Sequence, residues 1–120
     1  MADWQREIEI ELRRAGDSQN PGRLRTAARR IAGIAIQELL KQEAGLPVNC
    51  DYMSTLRMFV KSKNLPVEVT TAAARLEARL SANFTSQSLD PIRDAMLIVE
   101  FVRKKLQSSG ENETGSLNPD

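Results

Sequence analysis

Between Pro21 and Glu43 lies a segment whose apolar residues nearly encircle a helix. Leu24, Ala27, Ala28, Ile31, Ala35 and Leu39 recur at three- and four-residue spacing and form one stripe. Ile34, Ile36 and Leu40 widen that stripe until only a narrow polar strip remains in the second half. A helix of this kind has to be surrounded, either by other helices of its own chain or by a second subunit. Gly33 sits in its middle, where glycine costs helix propensity, and close approach of another backbone is the usual compensation. This segment therefore demands helical partners on most of its sides.

The rest of the chain supplies them. Trp4, Ile8, Leu12 and Ala15 share one helix face behind Asp3, a candidate cap, and Arg13 and Arg14 suit the negative end of the dipole. Gly16 to Asn20 breaks the pattern, and Pro21 fits the first turn of the second helix. Ala44-Gly45-Leu46-Pro47 ends it. A third helix, about Asp51 to Ser62, turns Leu56, Phe59 and Val60 inward. Lys61 to Asn64 reads as a turn. A fourth helix, Pro66 to Leu80, aligns Val69, Ala72, Ala73, Leu76 and Leu80. A polar loop follows, Ser81 to Leu89, with Phe84 as its one aromatic residue. Asp90-Pro91 combines a capping residue with a first-turn proline and opens a fifth helix, to Leu106, that buries Ile92, Ala95, Met96, Val99, Val102 and Leu106. Beyond it the chain is Ser, Gly, Asn and acids, with Leu117 the one large apolar residue. No strand alternation of useful length occurs. The expected fold is all-α, a four- to five-helix antiparallel bundle over residues 1–107, with 108–120 a disordered polar tail.

Several function classes are excluded or disfavoured. Histidine is absent, which removes His-based acid/base catalysis, Ser-His and Cys-His nucleophilic pairs, and most zinc sites. The single cysteine, Cys50, builds neither a metal cluster nor an internal disulfide, and it reads as a semi-buried structural thiol. Gly16, Gly22 and Gly33 have no phosphate-loop spacing. Glu7 and Glu11 share a helix face but read as surface charges. No cofactor, no metal and no enzymatic activity are expected. The start of the chain is charged and amphipathic, unlike a signal peptide, and the longest apolar run, Ile31 to Ile36, is far too short to span a membrane. A cytoplasmic location follows, which makes the sequons at Asn83 and Asn112 coincidental.

The net charge of +1 gives no global attraction to nucleic acid, so an electrostatic partner must be met by a local patch. The candidate patch is Arg23, Arg25, Arg29 and Arg30, which fall within eight residues that contain no acid. At about 100° per residue, Arg23 and Arg30 share a stripe with Lys41, and Arg25 and Arg29 form a second edge. Arg13 and Arg14 come near across the loop. Together these residues suit an RNA or nucleotide-phosphate surface, given the bidentate fork of arginine. The alternative is a solvated face with some arginines paired to Glu7, Glu9 or Glu11. It is preferred because few exposed aromatics are available to stack bases. The flank Gly33, Ile34, Ile36 and Leu40 is a candidate dimer surface. Burial against the chain's own helices explains it equally well.

The succession GRLRTAARRIAGIAIQELL, DYMSTLRMFV, LPVEVTTAAARLEARL and SLDPIRDAMLIVEFVRKKL resembles the helices of HEPN-type bundles, over about Trp4 to Leu106. It looks still more like a bacterial group of uncharacterised HEPN-like proteins that begin with a Trp-containing amphipathic helix. The resemblance implies a bundle that forms homodimers. Many such proteins are RNases with an Arg followed four to six residues later by His, and others bind nucleotides or pair with nucleotidyltransferases. Arg75 and Arg79 lie in the corresponding part of this chain, but the histidine is missing. The expectation is a catalytically silent HEPN-like module that binds itself or a protein partner. RNA or nucleotide-phosphate binding through Arg23 to Arg30 is the alternative.

Overall fold

The structure, a computed structural model, describes residues 3–16, 19–44, 51–62, 65–78 and 90–117, with side chains as far as residue 107. It contains α1 (Asp3–Gly16), α2 (Pro21–Ala44), α3 (Tyr52–Val60), α4 (Val67–Glu77) and α5 (Pro91–Leu117), and no strand among the described residues. The all-α expectation holds. The readings made for Gly45 to Cys50, for Arg79 and Leu80, and for Ser81 to Leu89 with Phe84 fall outside the described residues.

Helix α2 is the axis of the fold and the one helix that packs against all four others. Ala28, Ile31, Ala32, Ala35 and Ile36 are fully covered. Burying each isoleucine contributes roughly 1.5–3 kcal/mol, and the alanines between them allow neighbouring helices to come close. Around this axis α3 contributes Leu56 and Phe59, α4 Ala72, Ala73 and Leu76, and α5 Ala95, Ile98, Val99 and Val102. Phe59 meets Phe101 edge-to-face at a centroid distance of 6.4 Å, tying α3 to α5. Helix α1 has its close backbone contacts with α2 alone. The two run antiparallel, since Glu11 meets Arg30 while Trp4 lies beside Ile34 and Lys41 toward the other end.

The helix starts follow local chemistry. Asn20 Oδ1 accepts from the amides of Gly22 (2.9 Å) and Arg23 (3.3 Å), which caps α2 ahead of Pro21. Asp51 accepts from the Ser54 amide at 2.7 Å at the start of α3, and that bond holds its carboxyl below the ordinary aspartate value. Asp90 accepts from the Arg93 amide at 3.2 Å, as expected of the Asp90-Pro91 pair.

Two details differ from the sequence expectation. Ile98 is fully buried while Ile92, Met96 and Leu106 are only partly so. The buried face of α5 is therefore rotated toward Ala95, Ile98, Val99 and Val102, because α5 lies in contact with both α2 and α4. Val60 packs against the core from α3 but stays only partly buried. Helix α5 also continues past Leu106 to Leu117. A helix already nucleated by packing adds residues without a second nucleation cost, so its end need not coincide with the end of its apolar stripe.

Gly33 is where the fit is tightest. A Cβ added there would lie 2.7 Å from both Cβ and Cγ of Tyr52, the first residue of α3. Beside this contact Gln37 Nε2 donates to Thr55 Oγ1 at 2.9 Å, and Thr55 Oγ1 donates to the Asp51 carbonyl at 2.9 Å. Gly33→Ala is expected to lower stability by about 1–3 kcal/mol through overpacking, outweighing a helix-propensity gain of about 1 kcal/mol. Urea denaturation checks this, and the loss should shrink when Tyr52→Ala is present. Gly16→Ala, whose added Cβ meets nothing within 4 Å, serves as the control.

Candidate functional site

The four arginines of the basic segment have three different surroundings. Arg29 turns toward α4, where its Nε donates to the Leu76 carbonyl at 2.7 Å and its terminal nitrogen to the Ala78 carbonyl at 3.0 Å. Those carbonyls belong to the end of α4, where a helix has no internal donors left to offer. Arg29 thus fastens the end of α4 to the middle of α2. Its proton affinity is lowered, first by burial and then by neighbouring Arg25, with Glu77 opposing. Its place is structural, although sequence spacing groups it with the possible phosphate contacts.

Arg30 turns to the other side. One of its terminal nitrogens lies 3.2 Å from each oxygen of Glu11 on α1. Arg14 approaches the same carboxylate at 3.6 Å. Glu11 is almost buried, with its side chain 11% exposed, so it is the enclosed acid of this corner and not a surface charge. Its position was legible: Trp4, Ile8, Glu11 and Ala15 are spaced four, three and four, and all four are buried on one face of α1.

Arg23 and Arg25 make no contact with a carboxylate among the described residues. Arg23 is exposed, whereas Arg25 is half-buried and its Nε is buried without a hydrogen-bond partner. A buried N–H left in that state costs roughly 1–3 kcal/mol of desolvation unless an acceptor reaches it. Arg14, Arg23, Arg25 and Arg30 all line one groove of about 580 Å³ at the corner where α1 hands over to α2, together with Glu11 and Thr26. Among the described residues, four guanidiniums face one carboxylate there. The positive end of the α2 dipole opens at the same place, with no acid in its first turn to offset it.

The seam between α1 and α2 changes sign along its length. Its far end is a second groove lined by Asp3, Glu7 and Glu38 with Lys41 as the one base. The near-zero net charge of the chain therefore hides a local separation, with cations gathered at one corner. Among the described residues no group of three or more His, Cys, Asp or Glu side chains could hold a metal ion, and no helix is long and apolar enough to cross a membrane.

The proposed dimer flank sits largely inside the chain. Ile36 is fully covered, Ile34 is 8% exposed, Gly33 lies under Tyr52, and Leu40 is part-buried against the core. The chain's own helices account for the coverage of this flank. Arg75 is held by Asp94 in a two-pronged pair, Nε to Oδ2 at 2.9 Å and the terminal nitrogen to Oδ1 at 2.7 Å. Asp94 is buried, the pair locks α4 to α5, and the bond raises the proton affinity of Arg75. No family model, no curated protein and no solved structure matches this chain.

Arg29 and Arg23 should separate cleanly in a stability measurement. Arg29→Ala leaves the Leu76 and Ala78 carbonyls without their donor and is expected to cost about 1–3 kcal/mol. Arg23→Ala should stay within about 0.5 kcal/mol. Equal urea midpoints for the two variants would contradict the fastening role.

Proposed function

We propose that this protein is a non-catalytic, HEPN-like helical binding module that takes a phosphate-bearing ligand, an RNA or a nucleotide, in the groove of Arg14, Arg23, Arg25 and Arg30. The observation that carries this reading is a groove where, among the described residues, four guanidiniums face the single carboxylate of Glu11, and Arg23 and Arg25 meet none. Guanidinium N–H groups without protein acceptors are suited to phosphate oxygens, which accept strongly and in pairs. Arg29 is left out of the ligand set because its donors are already engaged by α4.

The test is binding of RNA and of ATP to the full chain at low salt, followed by calorimetry or filter retention. Affinity should fall linearly on a logarithmic scale as salt rises. Arg14→Glu, Arg23→Glu and Arg25→Glu together should weaken it by at least about tenfold, with helicity unchanged by circular dichroism. Binding of neither ligand at low salt would sink the reading. Arg29 has to stay intact in this experiment, since changing it disturbs α4.

A second reading, the homodimeric partner module that the HEPN resemblance implies, draws on a different observation. Ile10, Met58, Val67 and Leu97 are large apolar side chains left exposed, and Val67 is 76% so. Sedimentation at high protein concentration should then show a dimer, and a strict monomer would remove this reading without touching the first.

A further inference from the structure

The groove at the α1–α2 corner carries more information than its charge. Among the described residues its lining holds no aromatic side chain on which a base could stack. Its one side-chain amide, Asn20, already accepts from the amides of Gly22 and Arg23 as the cap of α2. Guanidinium dominates the described lining that meets a ligand, with the Thr26 hydroxyl beside it. Such a lining recognises phosphate oxygens and, among the described residues, offers no aromatic face to hold a base against it.

The arrangement of charge narrows the ligand further. A protein that tracks a nucleic-acid backbone needs a positive groove several nucleotides long. Here the cations converge in one pocket of about 580 Å³, and the same seam turns acidic at Asp3, Glu7 and Glu38. A backbone laid along the α1–α2 seam would run from attraction into repulsion. A condensed chain of phosphates puts several charges into the space of the pocket and avoids the acidic end.

We propose that the groove binds a condensed oligophosphate, the tail of a nucleoside triphosphate or an inorganic polyphosphate, without reading a base, and that Glu11 tunes its affinity as an internal counter-ion. This rests on the phosphate-binding reading above. Glu11 occupies Arg30 through both oxygens and draws Arg14 to 3.6 Å, so it competes with the incoming anion for two of the four cations. Arg23 and Arg25, which meet no carboxylate among the described residues, supply the first contacts. An anion there also offsets the repulsion between Arg25 and Arg29. Removing the charge of Glu11 while keeping its shape, as in Glu11→Gln, frees Arg30 and Arg14 for the ligand.

Isothermal titration of the full chain at low salt with tripolyphosphate, ATP, GTP, orthophosphate and a short single-stranded RNA tests this. Tripolyphosphate, ATP and GTP should bind within about threefold of one another, and orthophosphate at least about tenfold more weakly. Glu11→Gln should tighten tripolyphosphate binding by roughly threefold to tenfold, and Arg25→Gln should weaken it by about tenfold. A clear preference for tripolyphosphate over both nucleotides identifies the free polyphosphate as the source, and equal binding identifies the shared phosphate chain. ATP binding without tripolyphosphate binding overturns the inference, because the base is then being read. RNA binding that tripolyphosphate does not compete away overturns it as well. Both results leave the phosphate-binding reading standing, whereas silence from every ligand removes both. The ligand ranking on the unaltered chain decides the matter even if Glu11→Gln fails to fold.

Discussion

Everything in this molecule leans on the burial of α2. A helix whose apolar residues extend over most of its circumference is unstable alone in water. It becomes the stable centre once α1, α3, α4 and α5 cover it. Its alanines and Gly33 matter as much as its isoleucines. Bulky residues supply the area removed from water, and small ones set how near the neighbours can come. At Gly33 the approach is so close that Tyr52 fills the space a side chain would need. The polar link from Gln37 to Thr55 lies one turn further along α2 and fixes α3 in register where apolar packing alone would let it slide.

Once α2 is surrounded, its arginines acquire separate surroundings according to which neighbour each one faces. Arg29 faces the end of α4 and serves the backbone. Arg30 faces α1 and meets Glu11. Arg23 and Arg25, nearer the start of the helix, line the corner where α1 and the beginning of α2 meet. Four residues of one type, within eight positions, thus divide into a structural fastener, an ion-paired cation and two guanidiniums that meet no carboxylate among the described residues. The division supports treating the corner as a site and treating Arg29 as part of the scaffold.

The electrostatic character of the molecule is local. Its cations and anions nearly cancel over the chain, yet the α1–α2 seam is basic at one end and acidic at the other. A phosphate in the corner would feel the positive end of the α2 dipole and nearby guanidiniums. One a few turns away would feel Asp3, Glu7 and Glu38. Elsewhere the ion pairs hold helices together, as Arg75 with Asp94 joins α4 to α5 and Arg57 with Glu77 joins α3 to α4.

The sequence alone determined the helices and most of the core, because three- and four-residue spacing is a local consequence of helix geometry. It placed the starts at Pro21 and Pro91 and marked Gly33 as a point of close approach. Glu11 reads from the sequence as a surface charge, although it stands in the buried row of Trp4, Ile8 and Ala15. Other things depended on which helix ended up beside which. No spacing rule brings Arg29 to the carbonyls of Leu76 and Ala78, or Arg75 to Asp94, since those contacts join separate helices whose rotation and order are set by packing. For the same reason the face of α5 shifted to Ile98, and the flank at Ile34 and Ile36 was covered from within. The sequence supplied the charges, and the tertiary structure decided which of them met a partner and which were left facing a groove.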